Sequence, residues 1–334
     1  MDKTIKEYGL IRYLLQQGAK IAPLEIDFEN FGEQEDIMTS MNPSVWIDED
    51  GTGYVNIRAI NYNIFNSRYR EFTQDDQPVA YVSWATTYLK TVNYFGNINL
   101  DTLEMENMSR VKMLELHEPN WVFIGLEDAR IIHWNDKLYL CGVRRDIKDD
   151  GEGRMELSEI VNNDGTWTEI NRTRMPAAGD NTAYLEKNWM PIVDRPYTWL
   201  KWCSPVEIAN FDTETEKLDV YFTNNTGYCF RGDSQLVHIG DFYYCFVHLA
   251  ENLQLRPETN ARMTAYNHYI LKLNEELHVV DVSESFSYSN TFNIEFGCGL
   301  AYHNGYCYLT FAENDSAAFI IKFDADEIEK IFEK

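Results

Sequence analysis

Residues 125–140 carry the clearest structural pattern in the chain, and their sequence is Gly125-Leu126-Glu127-Asp128-Ala129-Arg130-Ile131-Ile132-His133-Trp134-Asn135-Asp136-Lys137-Leu138-Tyr139-Leu140. Apolar residues alternate on both sides of an Asn-Asp pair, which is typical of two antiparallel strands joined by a two-residue turn. The pattern therefore predicts a β-hairpin. Its first strand begins at two acids, and Arg144 and Arg145 lie just beyond its second strand. We expect carboxylates and guanidiniums to share that end of the hairpin.

Four other segments repeat the pattern of apolar strand, polar turn and apolar strand. They are residues 43–58, 189–200, 235–248 and 300–311. Further strand-like runs lie between them, so that each repeat has about four strands, which is typical of a β-propeller. The sequence predicts an all-β fold, a five-bladed β-propeller. Because the repeats are unevenly spaced, a two-sheet β-sandwich is the alternative.

The N-terminal segment has a different pattern. Residues 5–17 carry apolar side chains at roughly helical spacing, which predicts a short N-terminal helix packed on the main body or on a second subunit. Residues 25–40 are acidic and weakly patterned and are predicted to form a loop. We divide the chain into an N-terminal helix and loop (1–40) and a propeller domain (41–334). The sequence leaves the oligomeric state open, including a homo-oligomer.

The composition is that of a folded protein with many aromatic residues, 21 Tyr, 18 Phe and 8 Trp, which favours strands over helices. The formal net charge is −25. Surfaces that hold nucleic-acid phosphates are basic, so this charge argues against a nucleic-acid partner, although a local basic pocket is compatible with it.

The six cysteines have no CxxC spacing, and several lie in apolar strand patterns, which predicts buried free thiols in a reducing compartment. The N-terminus has no apolar signal core, and no run approaches the length of about 18 apolar residues that spans a membrane. We therefore predict a cytoplasmic protein without a membrane partner. The histidines lack zinc-ligand spacing, so no metal site and no cofactor are predicted.

Polar side chains recur just before the first strand of each hairpin. Because propeller blades pack radially, we expect these positions to face one mouth of the central channel. A single such residue is more often a turn or cap residue than a ligand, but recurrence in several repeats favours a binding or catalytic site. The strand starts supply Asn42, Glu127, Asp128, Lys187, Asn188, Arg231, Asp233, Ser234, Glu295 and Cys298, and the strand ends supply Arg58, Arg144, Arg145 and His248.

The run Glu127-Asp128-Ala129-Arg130 resembles the E-D-P-R signature of glycoside hydrolase family 130, the β-mannoside phosphorylases and their hydrolase relatives. Further segments resemble the family in the same order, and the resemblance covers roughly residues 40–330. It extends to related β-1,2-mannosyltransferases that share the propeller. Ala129 replaces the usual proline. The matching segments are Lys187-Asn188-Trp189-Met190-Pro191, Arg231-Gly232-Asp233-Ser234-Gln235 through His248, Ile294-Glu295-Phe296-Gly297-Cys298-Gly299-Leu300, and Ala312-Glu313-Asn314-Asp315.

The resemblance implies inverting phosphorolysis of a β-mannoside to mannose 1-phosphate, with inorganic phosphate as co-substrate and Asp128 as general acid. Because the acid must be protonated, we expect burial and Glu127 to raise its pKa. In the family the proton is thought to reach the glycosidic oxygen through a sugar hydroxyl. Predicted sugar contacts are Asn42, Arg58, Glu127, Asp233, Glu295 and Asp315.

The predicted phosphate contacts combine matches to the family with cations placed by position. The resemblance implies Lys187 and His248, and Tyr266 with His268 as a substitute, because the loop between His248 and Tyr266 is long. Asn188, Arg231, Arg144, Arg145 and Arg195 are added by position. Arginine pairs well with phosphate because it forms two parallel charged hydrogen bonds.

Three other functions stay open at the level of sequence. An inverting hydrolase would need a second carboxylate about 6.5–9.5 Å from the acid, for which Glu295 or Asp233 is a candidate. A glycosyltransferase would use the same cations to hold a donor phosphate. A propeller that only binds glycan or protein, with a vestigial acid site, is the third. Residues 60–78 and 250–265 are predicted to shape the acceptor side.

Overall fold

The computed structural model describes residues 2–28, 39–64, 81–83, 88–114, 118–177, 183–256, 261–289 and 294–332. Within these ranges the strands form five sheets of four or five strands, arranged as the blades of a propeller. The predicted five-bladed β-propeller is therefore confirmed.

The first blade contains the first predicted hairpin as its two innermost strands. A small two-stranded sheet extends from this hairpin, and a short parallel strand pairs with the third strand of the blade. The four main strands are β2 (Thr39–Ile47), β3 (Gly53–Ile60), β6 (Leu89–Ile98) and β7 (Met105–Arg110), and the additional strands are β4 (Tyr62–Ile64), β5 (Tyr81–Ser83) and β8 (Phe123–Ile124).

Blades two, three and four follow in chain order, and each contains one predicted hairpin. Blade two consists of β9 (Leu126–Trp134), β10 (Lys137–Arg144), β11 (Arg154–Asn163) and β12 (Thr166–Arg174). Blade three consists of β13 (Met190–Pro191), β14 (Thr198–Cys203), β15 (Val206–Asp212) and β16 (Lys217–Phe222). Blade four consists of β17 (Arg231–Gly232), β18 (Val237–Ile239), β19 (Phe242–Arg256), β20 (Ala261–Leu273) and β21 (Val279–Val282).

The fifth blade combines the two ends of the described chain. Its three inner strands are β22 (Glu295–His303), β23 (Tyr306–Glu313) and β24 (Ala317–Asp324), and its outer strand is β1 (Lys20–Pro23). In β1, Lys20 lies opposite Lys322 in antiparallel register. The ring is thus closed by pairing between residues far apart in sequence, and no strand was predicted in this N-terminal segment.

The predicted N-terminal helix is present but divided. It forms α1 (Lys3–Tyr8) and α2 (Leu10–Gln16), separated by Gly9, whose φ of 83° no helical residue adopts. The apolar faces of both helices pack on blades four and five, in one cluster with Phe246 and Leu309. A further helix, α3 (Asp326–Phe332), joins this cluster, and Tyr13 Oη donates to Glu327 Oε2 at 2.7 Å.

The predicted turn chemistry is present in blades two and five. Asn135 and Asp136 have φ values of 51° and 59°, and Asn304 and Gly305 have φ values of 49° and 82°. Positive φ at both central residues is the requirement of the type I′ turn, which matches the right-handed twist of paired strands. In blade two the turn places Arg144 opposite Leu126, so the acids and arginines share one end of the hairpin as predicted.

The inner strands are tied together at the axis by one buried amide side chain. Gln235 Nε2 donates to Val45 O at 3.1 Å and to Ile131 O at 2.9 Å, and Gln235 Oε1 accepts from Leu300 N at 3.0 Å. A residue of blade four therefore holds the inner strands of blades one, two and five. A fully satisfied buried amide of this kind fixes the relative positions of the blades.

The cysteines are all free, and five of the six are buried, as predicted; Cys229 is the exception and is exposed. Among the described residues, no helix has the length and apolar character needed to cross a membrane.

Candidate functional site

A cavity of about 150 Å³ lies at the end of the propeller where the inner strands begin. Residues from all five blades line it, and charged and polar side chains predominate. Its lining consists of Met41, Asn42, Arg58, Ile60, Tyr62, Phe123, Glu127, Asp128, Arg145, Leu185, Lys187, Asn188, Arg231, His248, Tyr266, Ile294, Phe296 and Asp315.

Asp128 is buried in the wall of this cavity, with 6% of its surface exposed. Its Oδ1 accepts from Arg58 Nη1 at 2.6 Å and from Asn42 Nδ2 at 2.7 Å. Both donors belong to blade one, so the carboxylate is held across the interface between blades one and two. Because these contacts use Oδ1, Oδ2 is the oxygen that a ligand can reach.

The backbone at this end of the propeller turns out of the strand geometry in several blades. Asn42, Asp128, Asn188 and Asp315 have φ between 42° and 61°, the left-handed region that Asn and Asp tolerate best among residues with a side chain. The ladder of β9 and β10 shifts register beside Asp128, and that of β2 and β3 shifts beside Asn42. Bulges of this kind re-aim a side chain, and all four of these side chains line the cavity.

Two neighbours stabilise the bulge at Asp128. The guanidinium of Arg130 is completely buried; its Nη1 donates to Asp128 O at 2.7 Å, and its Nε and Nη2 donate to Asp233 O at 2.9 and 2.7 Å. Opposite the bulge, a Cβ on Gly142 would come within 2.5 Å of Glu127 O, so only glycine leaves room for the bulged strand. The last residue of the Glu127–Arg130 motif is thus a structural clamp between blades two and four.

The pKa of Asp128 differs from the sequence expectation. Burial is the largest influence and raises it, but Arg58, Lys187 and Arg130, together with the hydrogen bond from Asn42, lower the pKa to about 2. The expected rise through burial and Glu127 was therefore wrong for the protein without ligand. The sequence does not reveal that cations from three blades surround the carboxylate.

Asp315 shows the opposite behaviour in the same cavity. It is 7% exposed, and its pKa is raised to about 6, because burial and the negative charge of Asp128 outweigh the effects of Arg58 and Lys187. Two carboxyl groups whose pKa values are pushed apart are typical of sites that handle protons.

Replacing Asp315 by asparagine is expected to stabilise the protein in a pH-dependent way. The raised pKa means that the folded state loses stability as pH rises from about 4 to about 6, by about 3 kcal/mol for the shift from 3.8. An asparagine side chain cannot ionise, and its backbone tolerates the φ of 51° found at this position. The free energy of unfolding of Asp315→Asn, measured by denaturant titration, should exceed that of wild type above pH 6 and approach it near pH 4. A difference that is constant with pH would contradict this.

Cations and a stacked pair of rings also line the cavity. Lys187, Arg145 and Arg231 line it, and the Arg145 guanidinium lies 4.8 Å from the centre of the Phe123 ring. The rings of His248 and Tyr266 stack at 4.4 Å with an angle of 13°. The hairpin of β19 and β20 places them together, with His248 opposite His268 and Ala250 opposite Tyr266.

The structure brings most of the predicted site residues together. Those that line the cavity are Asn42, Arg58, Glu127, Asp128, Arg145, Lys187, Asn188, Arg231, His248, Tyr266 and Asp315. Asn42 Oδ1 and Asn188 Oδ1 are buried there without a protein partner. Buried polar atoms in natural proteins are nearly always bonded to protein or water, so these two oxygens lack the partner that such atoms usually have.

The other predicted residues lie behind the cavity wall or away from it. Asp233 is completely buried between His248 and His268, and Glu295, also completely buried, accepts from Tyr288 N at 2.7 Å and from Ser289 N at 2.9 Å. The buried guanidinium of Arg144 pairs with Glu156 at 3.0 Å and with Asp146 at 3.3 Å. Arg195 contacts Tyr243 and Glu275 on another part of the surface.

Several side chains at the site were not predicted from the sequence, among them Tyr62, Phe296 and Arg130. Tyr62, within the predicted acceptor segment 60–78, accepts from Arg58 Nη2 at 2.5 Å and lines the cavity. Phe296 packs edge-on against His248 at 5.6 Å, and Arg130 is the clamp described above. Neither aromatic residue is a polar residue just before the first strand of a predicted hairpin, which was the signal used. Arg130 lies within the quoted motif, but its direction away from the cavity could not be inferred.

The predicted acceptor segments are partly covered by the described residues. Residues 60–64 continue from β3 into β4, whereas residues 65–78 lie outside the described part of the chain. The expected loop 250–265 is instead the continuation of β19 and β20, with residues 257–260 outside the description. This long hairpin is what brings Tyr266 beside His248. Among the described residues, no group of three or more His, Cys, Asp or Glu side chains could hold a metal ion.

No protein-family model matches the sequence, and no curated protein gives a significant match. Solved structures with the same fold do match. The β-1,2-mannobiose phosphorylase from Listeria innocua, in complex with β-1,2-mannobiose, aligns with a TM-score of 0.54 and 12% identity over 94% of this chain and 99% of that chain. A mannose phosphorylase from Leishmania mexicana, in complex with phosphate ion, aligns with a TM-score of 0.50 and 11% identity over 94% and 92% of the two chains.

A third structure comes from work on the GH130 family of mannoside phosphorylases. Its description states that this family contains glycoside hydrolases that target β-1,2-mannosidic linkages in Candida mannan. It aligns with a TM-score of 0.50 and 10% identity over 87% of this chain and 86% of that chain. The matching structures thus include one that is described under the same family whose motifs the sequence resembles. At such identities the likeness shows the shared fold.

Proposed function

We propose that this protein is a carbohydrate-active enzyme that cleaves a β-mannoside by inverting phosphorolysis, releasing mannose 1-phosphate. One observation carries the proposal: carboxyl groups and cations line a single cavity. The carboxyl groups are those of Glu127, Asp128 and Asp315, and the cations are Arg58, Arg145, Lys187 and Arg231. A neutral sugar beside a phosphate ion needs this combination, because hydroxyls bond to carboxylates and the anion needs positive charge.

The protonation of Asp128 is coupled to phosphate in this proposal. Without ligand, Lys187 helps to lower the pKa of Asp128 to about 2. A phosphate ion beside Lys187 offsets that positive charge and adds negative charge, which raises the pKa of the carboxyl group. Asp128 then takes up the proton that the leaving group needs. Its Oδ2 delivers the proton directly or through a sugar hydroxyl.

Phosphorolysis is favoured over hydrolysis because the two carboxylates suggested as a water-activating base are not in the cavity. Glu295 is bonded to the backbone of Tyr288 and Ser289, and Asp233 is bonded to two histidines. Hydrolysis is the second candidate on one observation, the carboxyl group of Asp315 in the cavity. The structural neighbours are described as phosphorylases in two cases and as glycoside hydrolases in the third.

The test is to incubate β-linked mannobioses of each linkage with and without inorganic phosphate, and to quantify mannose 1-phosphate and mannose. Starting with the β-1,2-linked disaccharide follows from the ligand of one structural neighbour. Phosphate-dependent mannose 1-phosphate is expected. Release of free mannose at the same rate without phosphate would overturn phosphorolysis and establish hydrolysis. Turnover only with a nucleotide sugar donor would establish a transferase.

Lys187→Met tests the anion site with a matched control. This change removes the cavity lysine and is expected to raise the KM for phosphate at least about tenfold, the effect of losing one charged hydrogen bond. Lys137→Met is the control, because Lys137 pairs with Glu159 at 3.1 Å at the far end of the blade-two hairpin. Equal KM values for phosphate in the two variants would place the anion elsewhere.

A further inference from the structure

A buried cluster of one acid and two imidazoles lies directly behind the cavity wall. Asp233 is completely buried; its Oδ1 pairs with His248 Nδ1, and its Oδ2 pairs with His268 Nδ1 at 3.0 Å. His268 is also completely buried, whereas His248 lines the cavity. The proposed function gives this cluster no role beyond the presence of His248 in the lining.

The cluster fixes which nitrogen of His248 carries the proton. Burial raises the pKa of Asp233, but the two histidines outweigh burial and keep the pKa below its usual value, so the group is a carboxylate. A carboxylate only accepts hydrogen bonds, and each Nδ1 must therefore donate. Burial lowers the pKa of His248, and the opposing effect of Asp233 is smaller. The pKa is therefore below its usual value, and the ring is neutral. Its Nε2 consequently has a lone pair and no proton.

The ring of His248 is also fixed in direction. Tyr266 stacks on one face, and Phe296 meets it edge-on at 5.6 Å. Arg231 lies opposite His248 in the pairing of β17 and β19 and lines the cavity with it. With Nδ1 turned to Asp233 behind the wall, the Nε2 edge is the part of the ring left for the cavity. A hydrogen-bond acceptor therefore faces a cavity that Lys187, Arg145 and Arg231 also line.

We propose that Nε2 of His248 selects, among tetrahedral oxyanions, those that still carry a proton, and so distinguishes hydrogen phosphate from sulfate. The inference rests on the proposed anion site and specifies its ligand. Hydrogen phosphate donates its P–OH to Nε2 while Lys187, Arg145 and Arg231 supply positive charge. Sulfate has no proton near neutral pH, so its oxygen would meet the lone pair of Nε2. No proton is transferred in this step; it is a hydrogen bond.

The selection can be measured without any sugar. The wild-type protein is titrated by calorimetry with phosphate, arsenate and sulfate in separate experiments near neutral pH. Phosphate and arsenate are expected to bind at least about tenfold more tightly than sulfate, as expected for one buried acceptor left unpaired. Sulfate binding as tight as phosphate binding would overturn the selection.

Two further measurements separate selection from a merely structural role. His248→Gln replaces the acceptor by a carboxamide that can turn its NH₂ to the anion, so the preference for phosphate over sulfate should fall to within about threefold. His303→Gln, at the end of β22 and away from the cavity, should keep the full preference. If His248→Gln does not fold, imidazole nitrogen NMR of the wild-type complex with phosphate decides. A proton found on Nε2 and not on Nδ1 would overturn the proposal.

The outcomes distinguish this inference from the proposed function. A preference for phosphate together with mannoside turnover that ignores phosphate would leave the selection intact and remove phosphorolysis. Phosphate-dependent turnover together with equal affinities for phosphate and sulfate would support phosphorolysis and overturn the selection. No measurable binding of any of the three anions would overturn the selection.

Discussion

Replacing Asp128 by asparagine is expected to lower kcat by about 10²–10⁴-fold, the usual contribution of a positioned general acid. Asparagine keeps the size of the side chain, tolerates the φ of 50° and can still accept from Arg58 and Asn42. The variant should therefore keep the fold, with some loss of stability because the buried Arg58 loses its carboxylate partner, and it should lose the proton for the leaving group. Steady-state kinetics with a mannobiose and phosphate, together with circular dichroism, check both statements.

Two controls make the Asp128→Asn result specific. Asp136→Asn changes an acid that also has positive φ, at the turn of the same hairpin and away from the cavity, and should leave kcat unchanged. An aryl β-mannoside whose leaving group needs no proton should be cleaved by Asp128→Asn with a much smaller loss. Equal losses on both substrates would show that Asp128 does not supply the proton.

Replacing Arg58 by methionine is expected to cost about 3–5 kcal/mol of stability, because one partner of a buried ion pair is removed and the other charge remains. Arg58 is 5% exposed, and its guanidinium contacts Asp128, Tyr62 and Thr91. Methionine preserves part of the apolar packing, so the loss of stability arises mainly from the Asp128 carboxylate that is left without its partner. Denaturant titration measures it.

The pH dependence identifies the source of the Arg58→Met deficit. In wild type, the lowered pKa of Asp128 contributes stability that is present above pH 4 and is lost as pH falls toward about 2. The deficit of the variant should therefore be largest near neutral pH and shrink below pH 4. The double variant Arg58→Met/Asp128→Asn should recover part of the stability, since Asp128 no longer contributes an unpaired charge; Glu127, 3.7 Å from Arg58 in wild type, still loses its partner. A double variant as unstable as the single one would contradict this explanation.

The predictable part of the fold was the part with local signals. Strand alternation and turns such as Asn135-Asp136 and Asn304-Gly305 are encoded within a few residues, and the hairpins were predicted correctly. The strand β1 was missed because its four residues have no alternation and become a strand by pairing with β24. The break at Gly9 was missed because apolar spacing does not report a backbone angle.

The candidate site was likewise predictable only where it depends on features that the sequence pattern shows. Residues at equivalent places in repeated blades converge by symmetry of the fold, which is why Asn42, Asp128 and Asn188 were identified. The direction of a side chain at a strand start depends on bulges and left-handed φ values. No residue pattern marked the difference between Asp128, which reaches the cavity, and Asp233, which turns behind it. The pKa of Asp128 depended on Arg58 and Lys187, both distant in sequence.

The closure of the last blade by β1 has a thermodynamic consequence for the cavity. Asn42 and Asp315 belong to blades one and five, the two blades that β1 connects, because it pairs with β24 of blade five and precedes β2 of blade one in the chain. A ligand that contacts both residues near the axis therefore forms a second connection between blades one and five. Ligand binding in the cavity and pairing of β1 with β24 then stabilise each other. The coupling free energy is the same in both directions.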